Sequence, residues 1–564
     1  MEGGGARQVY KLAGAASGGG LTAATSLNCR VFGALPDTGF IVQVKSGFPD
    51  ISEFANMVEK MMKKFMVDGM SRLRNRWRCV VQGGVLGLLL LIHSFCAVAG
   101  ELLAPCRVDG FAQQVQCGQL ERPLNPDEPR GKQITIHFIV LTALDKNKAP
   151  DPVFLLAGGP GQSAINVASW IQVVFEKLQR RHDLVFVDQR GTGKSAPLEC
   201  PDENDFGGIG VADYDVRQML KCRVQLEKLP YGDLRFYTTS IAMQDLDAVR
   251  AALHYARINL VGVSYGTRAA QEYQRQFPDR VKRSVLDGVV QPDQMLDDND
   301  LQKALDRLFT DCSDDIRCQT SYPHLQQDWK KLLAGLPKQT QLTHPRLGTP
   351  INATIGRDDV LNWVTRVLYS PVSSAGLPHA IEQAGTGNFN PLLALSGAGG
   401  LPSPGGIAMG MHYSTVCSEE YERLVQAGVP EADNDFGALH RQQYTRICRD
   451  WPRGHVPDGF YATATSLTPV LLLSGGIDPV TPPWHAERIA QALGPKARHI
   501  ALEHAGHGML QQTCLTDVAT NFINARSDQD AINVDASCVR QIPRPSVWIA
   551  PAPKQASATG MEPK

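Results

Sequence analysis

The sequence predicts an α/β fold, a mostly parallel sheet covered by helices and interrupted by an inserted, mainly helical cap. Three observations predict it. Short apolar, β-branched runs alternate with helical patterns between residues 131 and 290, the alternation lapses between about 291 and 460, and it resumes at 468. Parallel neighbours need a crossover of a dozen or more residues, so this rhythm marks a sheet buried on both faces.

Taken in order, "GKQITIHFIVLTAL" (131–144), "PVFLLAGGPG" (152–161), "HDLVFVDQRG" (182–191), Ile258–Val263 and "VKRSVLDGVV" (281–290) read as strands, with helical stretches such as "SIAMQDLDAVRAAL" between them. Residues 100–290 are therefore expected to form the first part of the core. Residues 291–460, with helical stretches and loops such as "LSGAGGLPSPGG", are expected as the cap. "TPVLLLSGGIDPVTPP" (468–483) and "RHIALEHAGHG" (498–508) return to strand character and place the rest of the core at 461–540. Residues 541–564, Pro- and Ala-rich, are expected as a flexible tail.

The first hundred residues read differently. "MSRLRNRWR" (70–78), the apolar run Val80–Ile92 and Ala97-Val98-Ala99 are the basic, apolar and cleavage segments of a secretory signal spanning 70–99. Residues 1–69 are expected to be an upstream extension of the gene model. Three of the thirteen cysteines precede the cleavage point. The remaining ten fall in neighbouring pairs, 106 with 117, 200 with 222, 312 with 318, 417 with 448 and 514 with 538, which is the even count a disulfide framework requires. The expected location is secreted or periplasmic, with no stable membrane insertion once the signal is removed.

Charge is balanced, 56 basic against 57 acidic side chains, and no basic stripe is interleaved with aromatics, so nucleic acid is not an expected partner. "RGTGKS" (190–195) imitates a phosphate loop, but Asp188 stands where the first glycine belongs. No metal or organic cofactor is expected.

The chemistry centres on Gly262-Val263-Ser264-Tyr265-Gly266. Placed between a strand and a helix, this G-x-S-x-G pattern turns the backbone sharply and lifts the serine hydroxyl clear of the sheet. A base and an acid should follow in the order Asp, then His. Asp478 follows the strand "PVLLLSGGI" and His507 lies in Gly506-His507-Gly508, both at strand ends. Asp287 is the alternative acid. His485, His499 and His504 are rival histidines, and His504 with His507 forms an H-x-x-H without a third ligand. The oxyanion donors are expected from the N–H of Tyr265 and from the loop "LLAGGPGQS", where Gly158 and Gly159 permit close approach.

The ordered set Gly158-Gly159-Pro160-Gly161, "VDQRGTGKS" (187–195), "GVSYGT" (262–267), "GGIDPVTP" (475–482) and "GHG" (506–508) resembles the serine aminopeptidases of the α/β-hydrolase fold, the proline iminopeptidases and more closely the secreted tripeptidyl aminopeptidases. The resemblance runs from about 130 to 540. It implies Ser264 as nucleophile, Asp478 and His507 as its partners, Gly159 and Tyr265 as oxyanion donors, and Asp188 and Arg190 as ties for their loop. Ala157 stands where proline iminopeptidases usually carry His, which favours the tripeptidyl branch. An aminopeptidase also needs a carboxylate for the substrate's α-ammonium, and Glu419 and Glu420 in "HYSTVCSEEYERL" are the candidates. The expected function is an exported serine exopeptidase that releases a tripeptide, or a single residue such as Pro, from peptides with a free N-terminus. A carboxylesterase on the same fold and a non-catalytic binding protein are the alternatives.

Overall fold

The computed structural model describes residues 102–200, 212–295, 298–344, 348–398, 406–428, 434–463 and 465–551. Within residues 1–101, a separate unit, it describes two short antiparallel strands, Asn28–Arg30 and Gln43–Lys45. The expected extension and signal otherwise lie outside the described residues. Among the described residues no helix is long and apolar enough to cross a membrane.

Among the described residues nine strands form one sheet. In chain order they are β1 (Leu103–Cys106), β2 (Val115–Pro123), β3 (Gln133–Leu141), β4 (Val153–Leu156), β5 (Leu184–Val187), β6 (Ile258–Val263) and β7 (Val281–Asp287). After a separate antiparallel hairpin of β8 (Lys338–Thr343) and β9 (Pro350–Ile355), β10 (Val470–Gly475) and β11 (Ala497–Leu502) complete it. The spatial order is β11-β10-β7-β6-β4-β5-β3-β2-β1. β4 to β7, β10 and β11 run parallel, and β1 to β3 pair antiparallel along one edge. The short β-branched runs are the parallel strands because both of their faces are covered: every residue of β4, β5 and β10 is buried.

One face of the sheet packs Phe138, Met243, Leu246, Tyr265 and Tyr273. The other packs Leu155, Leu178, Phe186, Leu515 and Phe522. A third core, built on Leu305, Trp329, Trp363, Ile381 and Phe389, belongs to the helices between 298 and 398. Residues 291–460 divide between these cores. Met411, Cys417, Ile447 and Trp451 pack with the sheet, while β8 and β9 add a polar hairpin to the helices.

All five neighbouring cysteine pairs are disulfides. Cys417–Cys448 staples the helix Met409–Glu419 to the helix Leu439–Cys448. Residues 541–551 depart from the expected flexible tail. Arg544 pairs with Asp311 at 2.7 Å, the Trp548 N–H donates to the carbonyl of Ala375 at 3.0 Å, and the Trp548 ring lies 4.6 Å from that of His379. This segment docks on the cap because its aromatic and basic residues find partners there, which Pro-rich composition does not reveal.

Candidate active site

β6 is flanked by β4 and β7 at the middle of the parallel set, so its C-terminal end opens onto the sheet's central crevice. There Ser264 holds φ 55° and ψ −126°, a conformation strained for a residue with a side chain. The strain is held in place from both sides. Ser264 N–H donates to the Asp287 carbonyl at 2.8 Å, and the Ser264 carbonyl accepts Thr267 N–H and Oγ1 at 2.8 and 2.7 Å. The motif glycines are sterically required: a Cβ at Gly262 would run into the Gly266 carbonyl, and one at Gly266 into that of Leu156.

The glycine loop after β4 faces the serine. A Cβ on Gly158 would lie 3.3 Å from the Cβ of Ser264. Gly158 N–H is taken by Gln162 Oε1, and Gly161 O accepts Ala408 N–H at 2.9 Å, which pins the loop. Gly159, at φ 109°, has no hydrogen-bond partner for its N–H among the described residues. Tyr265 opens the helix Tyr265–Gln276, where no intrahelical carbonyl reaches the first amides. Two donors are thus left for a developing negative charge.

Asp478 is buried and fully engaged. Its Oδ1 accepts Val480 and Thr481 N–H at 2.9 Å each, and its Oδ2 accepts the Thr481 hydroxyl at 2.6 Å and faces His507 Nδ1 at 2.8 Å. Burial works to raise its pKa, but the His507 charge and these hydrogen bonds outweigh it and hold the carboxyl below its ordinary value. Burial likewise works to lower the pKa of His507. The charge and hydrogen bond of Asp478, with the charge of Asp287, outweigh it and leave the imidazole above its ordinary value. The ring sits edge-on to Tyr369 at 5.1 Å, and its backbone N–H donates to the Tyr369 carbonyl at 2.9 Å. Ser264 and His507 line the same cavity of about 570 Å³.

Asp287, the alternative acid, does something else. Its carboxylate accepts Met509 and Leu510 N–H at 2.9 and 2.8 Å, just past His507. The rival histidines are committed elsewhere or are not brought to Asp478: His485 faces Asp300 Oδ2 at 3.1 Å, and His499 faces Ser474 Oγ at 2.5 Å. Asp188 accepts Ser163 Oγ at 2.6 Å and Lys194 N–H at 3.3 Å, and buried Arg190 pairs with Asp245 and caps three carbonyls, so the "RGTGKS" loop is a structural tie.

Glu419 and Glu420 do not line the cavity of Ser264 and His507. Glu419 Oε1 accepts Thr239 N–H at 2.7 Å, and Thr239 Oγ1 meets the Tyr265 hydroxyl at 2.8 Å. Glu420 pairs with buried Arg268 at 2.7 Å. Among the described residues Glu419 Oε2 has no hydrogen-bond partner, with Arg268 the cation beside it at 3.9 Å, and burial pushes this carboxyl up to about 7. Sequence reasoning missed Thr481 and Arg268. Thr481 could have been found as a hydroxyl three residues after the acid, able to reach back to it; Arg268 gave no local signal.

A family model described as alpha/beta hydrolase fold matches residues 151–510. A tripeptidyl aminopeptidase of Streptomyces lividans is 25% identical over 499 residues, 80% of this chain and 88% of that protein. Serine protease Hip1 of Mycobacterium tuberculosis is 28% identical over 240 residues, 38% of this chain and 45% of that protein. Among solved structures, a serine hydrolase from Cycloclasticus zankles is 12% identical with a TM-score of 0.34, covering 73% of this chain and 99% of that one. With the family model spanning well over half its length, the chain belongs to the α/β hydrolase fold family.

Proposed function

We infer that this chain is a serine exopeptidase that removes residues from free peptide N-termini through an acyl-enzyme, with a tripeptide as the favoured product. The observation that carries the reading is the His507–Asp478 pair at 2.8 Å, sharing a cavity with a serine held on a strained elbow. In this mechanism His507 takes the Ser264 proton as Oγ attacks the scissile carbonyl, and Gly159 and Tyr265 N–H stabilise the oxyanion. His507 then hands the proton to the departing amine, and water releases the acyl group by the reverse sequence. Relatives named tripeptidyl aminopeptidase support a peptide substrate. Five disulfides and the signal pattern at 70–99 support export.

Glu419 is the proposed anchor for the α-ammonium, ahead of Glu420, whose charge Arg268 already occupies. A carboxylesterase would use the same triad and oxyanion donors, so the test is the free N-terminus. Blocking it with acetyl should lower kcat/KM on one tripeptidyl arylamide by roughly 30- to 1000-fold, the loss of a charge-assisted contact plus an unpaired buried carboxylate. Glu419→Gln should narrow that gap. Equal rates on free and acetylated substrate would sink the exopeptidase reading; an unchanged gap in Glu419→Gln would place the anchor elsewhere.

A further inference from the structure

The cavity beside the nucleophile carries more information than the triad uses. Its wall away from Ser264 is the helix Ala164–Val174, which turns Val167, Trp170, Ile171 and Val174 toward it, and Ile407 closes the side next to the glycine loop. Trp170 and Ile407 are 49% and 44% exposed, a large apolar commitment left open to solvent. Among the described residues no Lys, Arg or Glu lines this space, and its carboxylate, Asp287, is occupied by Met509 and Leu510 N–H. His507 and Gly508 form the adjoining wall.

We propose that this cavity is the leaving-group subsite, and that it receives a bulky apolar or aromatic side chain on the residue immediately C-terminal to the scissile bond. This rests on the acyl-transfer reading above. The direction follows from proton transfer: the imidazole must protonate the departing nitrogen, so the space next to His507 is where the departing residue sits. The glutamates proposed for the N-terminus are absent from this wall, which leaves the acyl portion to run toward the other side of Ser264. A cavity of about 570 Å³ accommodates an aromatic side chain with room for the following residue.

The step is tested in reverse by aminolysis. An acyl-enzyme is formed from one p-nitrophenyl ester, and an amino-acid amide is added as acceptor. Its amine lone pair attacks the acyl carbon while His507 removes the amine proton, and the bond from that carbon to Ser264 Oγ breaks as Oγ regains a proton from His507. The ratio of aminolysis to hydrolysis then reports acceptor binding on the leaving-group side alone. Phenylalaninamide and leucinamide should exceed glycinamide and aspartamide by roughly 10- to 100-fold, the range expected for burying a large apolar side chain. Trp170→Ala should cut that preference by about 10-fold and leave hydrolysis of the acyl-enzyme, a step that follows departure of the p-nitrophenolate, within about 3-fold.

Equal partition among the four acceptors would overturn the proposal, as would an unchanged preference in Trp170→Ala. So would a Trp170→Ala enzyme whose selectivity changes on the acyl side of the ester instead. Because the acyl donor is an ester, failure to cleave any peptide would strike the exopeptidase reading without touching this measurement.

Discussion

Two buried aspartates approach His507 from neighbouring strands, and they are in opposite electrostatic states. Asp478, past the end of β10, receives four hydrogen bonds, one of them from the imidazole, and its pKa is held below the ordinary value. Asp287, at the end of β7, receives two backbone amides and no hydrogen bond from the ring, and burial pushes it up to about 6. Both satisfy the rule that functional carboxylates sit at the carboxyl ends of parallel strands. Position alone does not choose between them. The choice is made by the turn that follows: Pro479-Val480-Thr481 folds two amides and a hydroxyl back onto Asp478, whereas the turn after Asp287 leaves its carboxylate to reach the amides beyond His507.

The largest loss is expected at Asp478. Asp478→Asn should lower kcat by about 10⁴-fold with little loss of folding, because the amide cannot stabilise the imidazolium and favours the wrong ring tautomer. Retention of more than a tenth of wild-type turnover would transfer the acid role to another residue.

Asp287→Asn should cost less, up to about 10²-fold. Its backbone carbonyl still holds Ser264 N–H, but an amide can no longer accept cleanly from both Met509 and Leu510, so the loop carrying His507 loosens. Steady-state kinetics on one arylamide ranks the two variants, and a loss at Asp287 equal to that at Asp478 would erase the distinction between acid and clamp.

Thr481→Val is expected to fall below both, at roughly 10-fold, the order of a single hydrogen bond to a charged group. It removes the hydroxyl 2.6 Å from Asp478 and 3.2 Å from His507 while keeping the backbone amide. Serine at 481 should restore most of the rate; failure of that rescue would show that the hydroxyl alone does not account for the loss.

This contrast also shows what the chain made legible. β4 to β7, β10 and β11 could be read because each is a compact apolar run, and Ser264, Asp478 and His507 because each sits in a glycine-marked turn directly after such a run. The clamp function of Asp287 could not be read, since its partners are amides 222 and 223 residues away and amides carry no sequence signature. The same holds for Arg268 with Glu420, separated by 152 residues. The hairpin of β8 and β9 escaped notice because "KQTQLT" is polar but for Leu342, and the apolar side of the pair, Leu342 with Ile351 and Ile355, is too short a pattern to mark a strand. The docking of 541–551 escaped because Trp548 finds Ala375 and His379 on helices whose surface no local pattern describes.

The smallest expected effect is the one that separates the two aspartates by charge rather than by geometry. His507 must be neutral to accept the Ser264 proton, so kcat/KM rises with pH as the imidazole deprotonates. Against the lowering effect of burial, its pKa is raised by the charge and hydrogen bond of Asp478 and by the charge of Asp287. Removing the second charge in Asp287→Asn takes away one raising influence, so the acid limb of the profile should move to lower pH. Asp287 itself takes up a proton near pH 6, so in the wild type its influence fades below that point and the limb should be shallower than in the variant. Thr481→Val gives the control, because it leaves both aspartate charges in place. Profiles of kcat/KM against pH for the three enzymes therefore distinguish the cases. An acid limb that stays put in Asp287→Asn, or moves upward, would reduce Asp287 to a backbone clamp with no electrostatic hold on the base.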